Sequence, residues 1–273
     1  MDINEGYEKL KKRIRDLGSV AVAHSGGVDS TLLCKVAHDA LGDRAIAVTV
    51  VSPMLPRREV EAARTHARSI GIRHVLAEES TIDPSVAENP PQRCYLCKRM
   101  EFSAIVRIAE REGVSSVLDG SNRDDLSDYR PGLKALCELG IVSPLRESGL
   151  DKADIRELSR RLGLPTWDKP ALACLASRVP YGERITVEKL QRVDQAEDYL
   201  RGIGVRQVRV RIHQDLARIE VARDERLKLL EAVIMDDVSA RLKSLGFLYV
   251  CMELEGYATG SMNRPLAGGG STP

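Results

Sequence analysis

Aromatic residues are scarce in this chain. Only 4% of its 273 residues are Phe, Tyr or Trp, with two Phe and one Trp. The stacking platforms on which single-stranded nucleic acid is held are therefore few. Charge of one sign is also lacking: 41 Lys and Arg stand against 40 Asp and Glu, a formal net charge of +1. No strong field draws the protein to nucleic acid or an anionic membrane. No apolar run approaches the roughly 20 residues that span a bilayer. The polar start, Met1 to Lys12, has no signal-peptide apolar core. The protein is expected to be cytoplasmic. There is no internal repeat and no second C-x-x-C, so a four-cysteine zinc site is disfavoured.

What is present is an ordinary globular composition, 43% apolar and 30% charged. The length suits one large domain or two smaller ones. Six cysteines occur, at positions 34, 94, 97, 137, 174 and 251. In a reducing cytosol, clustered cysteines bind metal or do chemistry more often than they form disulfides. Cys34, Cys137 and Cys251 fall in apolar contexts and read as core.

Strands and helices alternate along the first part of the chain. The pattern predicts helices over 7–17, 31–41, 59–70 and 98–112, and strands over 19–23, 45–51, 73–77 and 115–118. This is an α/β fold, a parallel sheet covered by helices on both faces. After Trp167 the pattern changes. A proline-bounded stretch leads to a helix over 186–200, strands over 205–213 and 216–221, a long helix over 224–245 and a last strand over 247–253. Residues 1–170 are expected to form a nucleotide-binding domain and 171–266 a smaller α/β domain. The Gly/Ser/Thr/Pro tail, 267–273, is expected to be disordered.

Ser25-Gly26-Gly27-Val28-Asp29-Ser30 lies between the first strand and the second helix. Two glycines let the backbone turn tightly and present N–H groups to an anion, and the following helix aims its positive end at the same point. Ser25, Ser30 and Thr31 add hydroxyl donors. Asp29 would repel a bare phosphate and makes sense beside a phosphate-bound Mg²⁺. The loop lacks the G-K-[ST] ending of a Walker A motif, which disfavours a γ-phosphoryl kinase or GTPase. Asp119-Gly120-Ser121-Asn122-Arg123-Asp124-Asp125 follows a strand, at the carboxyl end where α/β sheets bind ligands. Taken alone, that stretch could be a polar turn.

The Ser25–Ser30 loop matches the S-G-G-x-D-S element of the PP-loop ATP pyrophosphatases. The run from Gly120 to Asp125 resembles their G-[ST]-N-x-D-D element. Three further stretches narrow the resemblance: Asp128 to Gly132; Cys174-Leu175-Ala176-Ser177-Arg178-Val179-Pro180-Tyr181-Gly182; and Val208 to Glu220. Together they resemble the LarE-type sulfur insertases over roughly residues 5–264. That resemblance implies an enzyme that uses ATP to adenylylate the carboxylates of pyridinium-3,5-biscarboxylic acid mononucleotide, releasing pyrophosphate. A cysteine sulfur then displaces AMP, and the product is a thiocarboxylate, the precursor of the nickel-pincer nucleotide. Some members sacrifice the cysteine. Others hold a [4Fe-4S] cluster on three cysteines, with an extra sulfide supplied by a donor.

By this resemblance Ala23, Ser25, Gly26, Gly27, Asp29, Ser30, Gly120 and Asp125 bind ATP. Cys174, Asp29 and Lys98 are catalytic. Ser177, Arg178, Arg209, Arg211 and Glu220 bind the mononucleotide, and Cys94, Cys97 and Cys174 hold the cluster. A homo-oligomer is implied as well. A carboxylate metal site of the family is matched only by Glu197, with Lys228 where the second acid would stand.

The residues agree with this chemistry. A thiolate is the best protein nucleophile for an acyl adenylate. Arg178 lies near Cys174, and its charge could lower the thiol's pKa. Arg209 and Arg211 alternate with Val208, Val210 and Ile212, so both guanidinium groups share one strand face. That face suits a phosphate, or is simply solvated. Cys94 and Cys97 could equally be a redox pair. A tRNA thiolase is the alternative, but a net charge of +1 and few aromatics argue against an RNA surface. A nucleotide-binding module without turnover would not need Asp29 and Lys98. A NAD or GMP synthetase is disfavoured, because no ammonia-channel or glutaminase segment is visible.

Overall fold

A computed structural model describes residues 2–126, 132–171 and 173–258. The block at 128–131 and the tail expectation at 267–273 lie outside them. The chain divides into two compact units: Met1–Ser80 with Gln92–Leu172, and Thr81–Pro91 with Ala173–Pro273.

The first unit contains α1 (Ile3–Leu17), β1 (Val20–Ala23), α2 (Val28–Leu41), β2 (Ala45–Val51), α3 (Arg57–Ile70) and β3 (Arg73–Glu78). After the segment that carries α4 (Pro84–Ala87) come α5 (Arg93–Arg111), β4 (Ser116–Leu118), α6 (Gly132–Glu138), α7 (Pro144–Glu147) and α8 (Lys152–Arg161). The four strands are parallel, in the order β3-β2-β1-β4. Chain order reverses between β1 and β4, so this is the switch point at which open α/β sheets bind ligands. Period-two alternation divides β1 and β2 between two layers. Val20, Val22, Ala45 and Ala47 pack with Leu10, Ile14, Leu32, Leu33 and Ile155 of the helices on one face. Ala21, Ile46 and Val48 pack with Phe102 and Ile105 of α5 on the other.

The second unit contains α4, α9 (Val187–Gly202), β5 (Val208–His213), β6 (Leu216–Val221), α10 (Ala232–Ser244) and β7 (Tyr249–Met252). Its sheet has the order β5-β6-β7, with β5–β6 antiparallel and β6–β7 parallel. The single helix expected over 224–245 is two elements. Residues Arg223–Leu229 form a 3-10 stretch, and α10 starts afresh after Glu231, whose ψ of 134° is extended. Within the 3-10 stretch the Glu225 carboxylate accepts from the N–H groups of Arg206 at 2.9 Å and Gln207 at 2.8 Å. Two cysteines read as core are exposed: Cys137 on α6 and Cys251 on β7, whereas Cys34 is buried. α6 buries Ala135 and Leu136 and turns Cys137 outward. β7 is an edge strand whose residues alternate in exposure, which puts Cys251 on the open side.

Asn89 joins the Thr81–Pro91 segment to the rest of the second unit. It is buried with φ +55°, and its amide donates to the carbonyls of Val179 at 3.2 Å and Pro180 at 2.6 Å. Its own carbonyl accepts from Gly182 N–H at 3.0 Å. Asn tolerates this left-handed backbone better than most residues. Asn89→Ala would strain the backbone and strand the buried carbonyl of Val179 and the half-buried one of Pro180, and should cost about 1–3 kcal/mol, read by urea unfolding. Asn89→Asp should do no better, because a carboxylate cannot donate to those carbonyls.

Candidate active site

β1 ends at Ala23 and delivers the chain into His24-Ser25-Gly26-Gly27. Gly26 has φ +73°, and a Cβ there would meet Ala63 N and Glu59 O of α3, each at 3.2 Å. Only glycine fits both demands. Gly27 is the N-cap of α2 and offers no side-chain acceptor, whereas Asp2, Asp151 and Thr186 cap α1, α8 and α9. The first N–H groups of α2 are thus left for an anion. Ser30 Oγ lies 3.2 Å from Ser25 Oγ and accepts from Ser25 N–H at 3.3 Å, so the two hydroxyls close the loop.

The strand next door brings the second half. A Cβ on Gly120 would meet Asp29 Cβ at 3.2 Å and Ser30 N at 3.3 Å, so the segment after β4 lies directly against the first turn of α2. Asn122 Nδ2 donates to Asp29 Oδ1 at 3.1 Å, and Asn122 N–H donates to Asp125 Oδ2 at 2.9 Å. One asparagine therefore holds both carboxylates. Asp119 anchors the turn by accepting from Ser121 N–H at 3.0 Å and Ser143 Oγ at 2.5 Å. These hard oxygen donors suit a Mg²⁺.

Two lysines that sequence reasoning missed complete this site. Lys152 Nζ donates to both oxygens of Asp29, at 2.5 and 2.6 Å. It is the first residue of α8, whose capping box pairs Asp151 with Asp154. Its backbone N–H donates to Asp124 Oδ2 at 3.0 Å, and Arg123 pairs with Asp151, so α8 is tied to the Asn122 turn. A cation at a helix N-terminus opposes the macrodipole. That anomaly, beside a recognisable capping box, was the available signal. Lys169 Nζ donates to Gly26 O at 3.0 Å and to Glu59 Oε2 at 2.7 Å. A lone lysine before a proline carried no signal. Lys98, on α5, lies 3.8 Å from Glu101 and 4.6 Å from the Phe102 ring centre.

Three histidines gather where β1 enters the loop. The His24 ring lies 5.7 Å from His74 and 6.5 Å from His66, and its Nε2 is 3.2 Å from Ala63 O. Burial, together with the neighbouring His74, pushes the pKa of His24 down to about 3. His66 and His74 are lowered as well, first by burial. His24 is thus a neutral, packed residue under the phosphate loop.

In the second unit Cys174 is exposed at the start of the turn Leu175–Arg178. Its carbonyl accepts from Ser177 N–H at 3.0 Å, Ser177 Oγ at 2.8 Å and Arg178 Nη1 at 3.0 Å. Arg178 is buried, and its other two nitrogens make a bidentate pair with Glu197 at 2.7 and 2.9 Å. Its guanidinium thus shapes the backbone of the cysteine turn. Burial raises the pKa of Glu197, but Arg178 with Arg201 and Arg209 together outweigh it and hold it at about 2. Both Glu197 oxygens are taken by Arg178, and Val210 N–H adds a bond at 3.0 Å. Lys228 donates to Glu225 and to Gly204 O, each at 2.8 Å. Glu197 is thus engaged by Arg178 and Val210, and Lys228 by Glu225 and Gly204.

Arg209 and Arg211 do share a face of β5, and that face is buried. Arg211 pairs with Glu220 at 2.6 and 2.9 Å and donates to Ser177 O at 2.8 Å. Arg209 lies 5.3 Å over the Tyr257 ring, and burial, then Arg178, lower it to about 10. Arg178, Arg201, Arg209, Arg211 and Arg218 crowd around Glu197 and Glu220, with Glu253 also on Arg218, and Arg178 and Arg211 both reach Ser177.

Cys94 and Cys97 lie in the first turns of α5 rather than in a turn before it, because the helix starts at Arg93. Three residues apart on a helix, they are surface neighbours. Cys94 is exposed and Cys97 half-buried. Among the described residues, neither unit by itself gathers three His, Cys, Asp or Glu side chains as a metal site. No helix among the described residues is long and apolar enough to cross a membrane.

The NAD synthase family matches residues 3–98. An uncharacterized protein of Synechocystis is 47% identical over 95% of this chain and 97% of its own. The pyridinium-3,5-bisthiocarboxylic acid mononucleotide synthase of Lactiplantibacillus plantarum is 40% identical over 94% of this chain and 93% of its own. An uncharacterized protein of Methanocaldococcus jannaschii is 30% identical over 93% of this chain and 94% of its own.

The histidine cluster gives a pH dependence with a definite sign. The unfolded chain protonates His24 near pH 6.5, while the folded chain resists until about pH 3. Stability from this group is complete above 6.5 and is lost as pH falls toward 3. Between pH 6 and 5 the unfolding free energy of the wild type should fall more steeply than that of His24→Leu, by up to about 1.4 kcal/mol per pH unit. Parallel slopes would show that His24 does not carry this dependence.

Proposed function

The chain belongs to the LarE-type family of PP-loop enzymes, and on that premise we propose that it converts the carboxylates of pyridinium-3,5-biscarboxylic acid mononucleotide to thiocarboxylates in two half-reactions. The observation that carries the reading is the meeting of Asp29, Asn122, Asp125 and Lys152 at the uncapped start of α2. In the first half-reaction a carboxylate oxygen of the substrate attacks the α-phosphorus of ATP, and the bond to pyrophosphate breaks. The loop from Ser25 to Ser30 holds the pyrophosphate on backbone N–H groups and the two hydroxyls. Gly120 allows the close approach, and Ala23 ends the strand beneath the nucleotide. Lys152 supplies positive charge as the leaving group develops its own negative charge. A Mg²⁺ held by Asp29 and Asp125 would shield the phosphates, with Asp29 exchanging Lys152 for the metal. Lys98 is proposed to act on the activated substrate.

In the second half-reaction a sulfur nucleophile attacks the acyl carbon and AMP departs with the electron pair. The attacking sulfur is proposed to be donor-supplied sulfide, and Cys174 to be the catalytic cysteine that helps hold its carrier: it is solvent-accessible and its turn is fixed by Arg178 and Ser177. The gathering of the Arg178, Arg209 and Arg211 guanidinium groups, with Glu220 setting Arg211, supports binding of the substrate's 5′-phosphate beside Ser177. Cys94, Cys97 and Cys174 are proposed to hold a [4Fe-4S] cluster, which when bound offers an open iron for a sulfide from a donor. The donor set suits it: three cysteines outside any disulfide, two of them adjacent on one helix. The enzyme is proposed to work in the cytoplasm, as a homo-oligomer.

Variants separate the half-reactions. Cys174→Ala should keep release of pyrophosphate from ATP and the mononucleotide but form no thiocarboxylate. Asp29→Ala should lose pyrophosphate release by about two orders of magnitude or more. Protein purified without oxygen should contain about four irons per chain, lost on changing Cys94, Cys97 or Cys174 to Ala. Iron-free protein that is fully active, or loss of H₂S from Cys174 in step with product, would contradict the cluster.

A further inference from the structure

The Gly26–Gly27 peptide is held from its carbonyl side. Lys169 Nζ donates to Gly26 O at 3.0 Å and to Glu59 Oε2 at 2.7 Å. Glu59 is 3% exposed and its other oxygen meets Arg58 at 3.2 Å, so the acceptor that steers Lys169 is itself fixed. The lysine backbone is also pinned. Arg156 of α8 donates from Nη1 to Trp167 O at 2.6 Å and from Nη2 to Lys169 O at 2.7 Å. Lys169 N–H donates to Thr166 O at 3.0 Å. α8 therefore reaches the phosphate loop twice, directly through Lys152 at Asp29 and indirectly through Arg156 and Lys169 at Gly26.

A trans peptide points its carbonyl and its N–H in opposite directions. With Gly26 O turned to Lys169, Gly27 N–H is aimed the opposite way. Among the described residues that N–H meets no protein acceptor. A peptide between two glycines is the easiest in a chain to flip, because neither side carries a Cβ. If it flipped, a carbonyl oxygen would replace a donor on the side where an anion must sit.

We propose that Lys169 is a positioning residue for the phosphate loop. It holds the Gly26–Gly27 peptide in the one orientation that presents Gly27 N–H to pyrophosphate, without touching the phosphates itself. The inference rests on the reading of this loop as a pyrophosphate cradle. It adds that the cradle is set by a lysine located five residues before Cys174 in the chain. The covalent chemistry is unchanged; only the donor set of the leaving-group site is at stake.

The test is calorimetric binding of Mg²⁺-pyrophosphate to the full chain, with a crystal structure of the variant. Lys169→Met should weaken binding by about tenfold or more, the scale of one lost charge-assisted donor. The Gly26 carbonyl should then turn away from position 169. Lys169→Met leaves Glu59 buried beside an apolar side chain, so Lys169→Met with Glu59→Gln serves as the control for folding. It should melt close to the wild type and show the same loss. Lys169→Arg, which can still donate to Gly26 O, should recover most of the affinity. Undiminished binding by the double variant would overturn the proposal. So would a loss of affinity with the Gly26 carbonyl still facing position 169, which would assign Lys169 to direct contact. If the wild type itself fails to bind Mg²⁺-pyrophosphate, the cradle reading falls first, which is a separate outcome.

Discussion

The contact on which the first unit depends is the approach of Gly120 to the first turn of α2. A side chain there would need room that Asp29 Cβ, at 3.2 Å, and Ser30 N, at 3.3 Å, already fill. Without it the two loops at the switch point would stand apart. With it, a donor-rich helix start, two carboxylates sharing Asn122 and the ammonium of Lys152 meet at the carboxyl ends of β1 and β4. That set is suited to hold a polyphosphate, and the order β3-β2-β1-β4 is what puts its two halves on neighbouring strands.

The second unit solves a different problem, which is to fix an exposed thiol on an irregular turn. It does so with buried charge. Glu197 on α9 and Glu220 on β6 each take a bidentate arginine, and those arginines hold the carbonyls of Ala173, Cys174 and Ser177. Buried pairs of this kind contribute little net stability, because desolvation offsets the attraction. What they supply is a definite geometry for the turn that carries Cys174. The Glu197 side chain serves this framework, with both oxygens engaged by Arg178.

The sequence spoke clearly where short-range pattern decides. The strand over 45–51, the glycines of the phosphate loop and the end of the helix at Ile70 were all legible, because each follows from local backbone preference. The shared face of Arg209 and Arg211 followed from alternation. That this face is buried did not follow, because charged residues read as surface and their acids lie on other elements. Lys152 and Lys169 escaped for the same reason. Their partners, Asp29 and Gly26, are 123 and 143 residues away. Cys137 and Cys251 misled because an apolar neighbourhood in sequence does not say which side of a short helix or an edge strand is covered. The start of α5 ahead of Cys94 was hidden because a C-x-x-C reads equally as a turn or as adjacent helix positions.

The central claim is that this phosphate loop serves attack at the α-phosphorus of ATP by a substrate carboxylate. Positional isotope labelling tests it most directly. The protein is given ATP and pyridinium-3,5-biscarboxylic acid mononucleotide labelled with ¹⁸O in its carboxylates, and the products are read by mass spectrometry. The account predicts pyrophosphate and AMP, with one ¹⁸O carried into AMP for each carboxylate converted. Formation of ADP and phosphate, or AMP free of the label while thiocarboxylate accumulates, would contradict it.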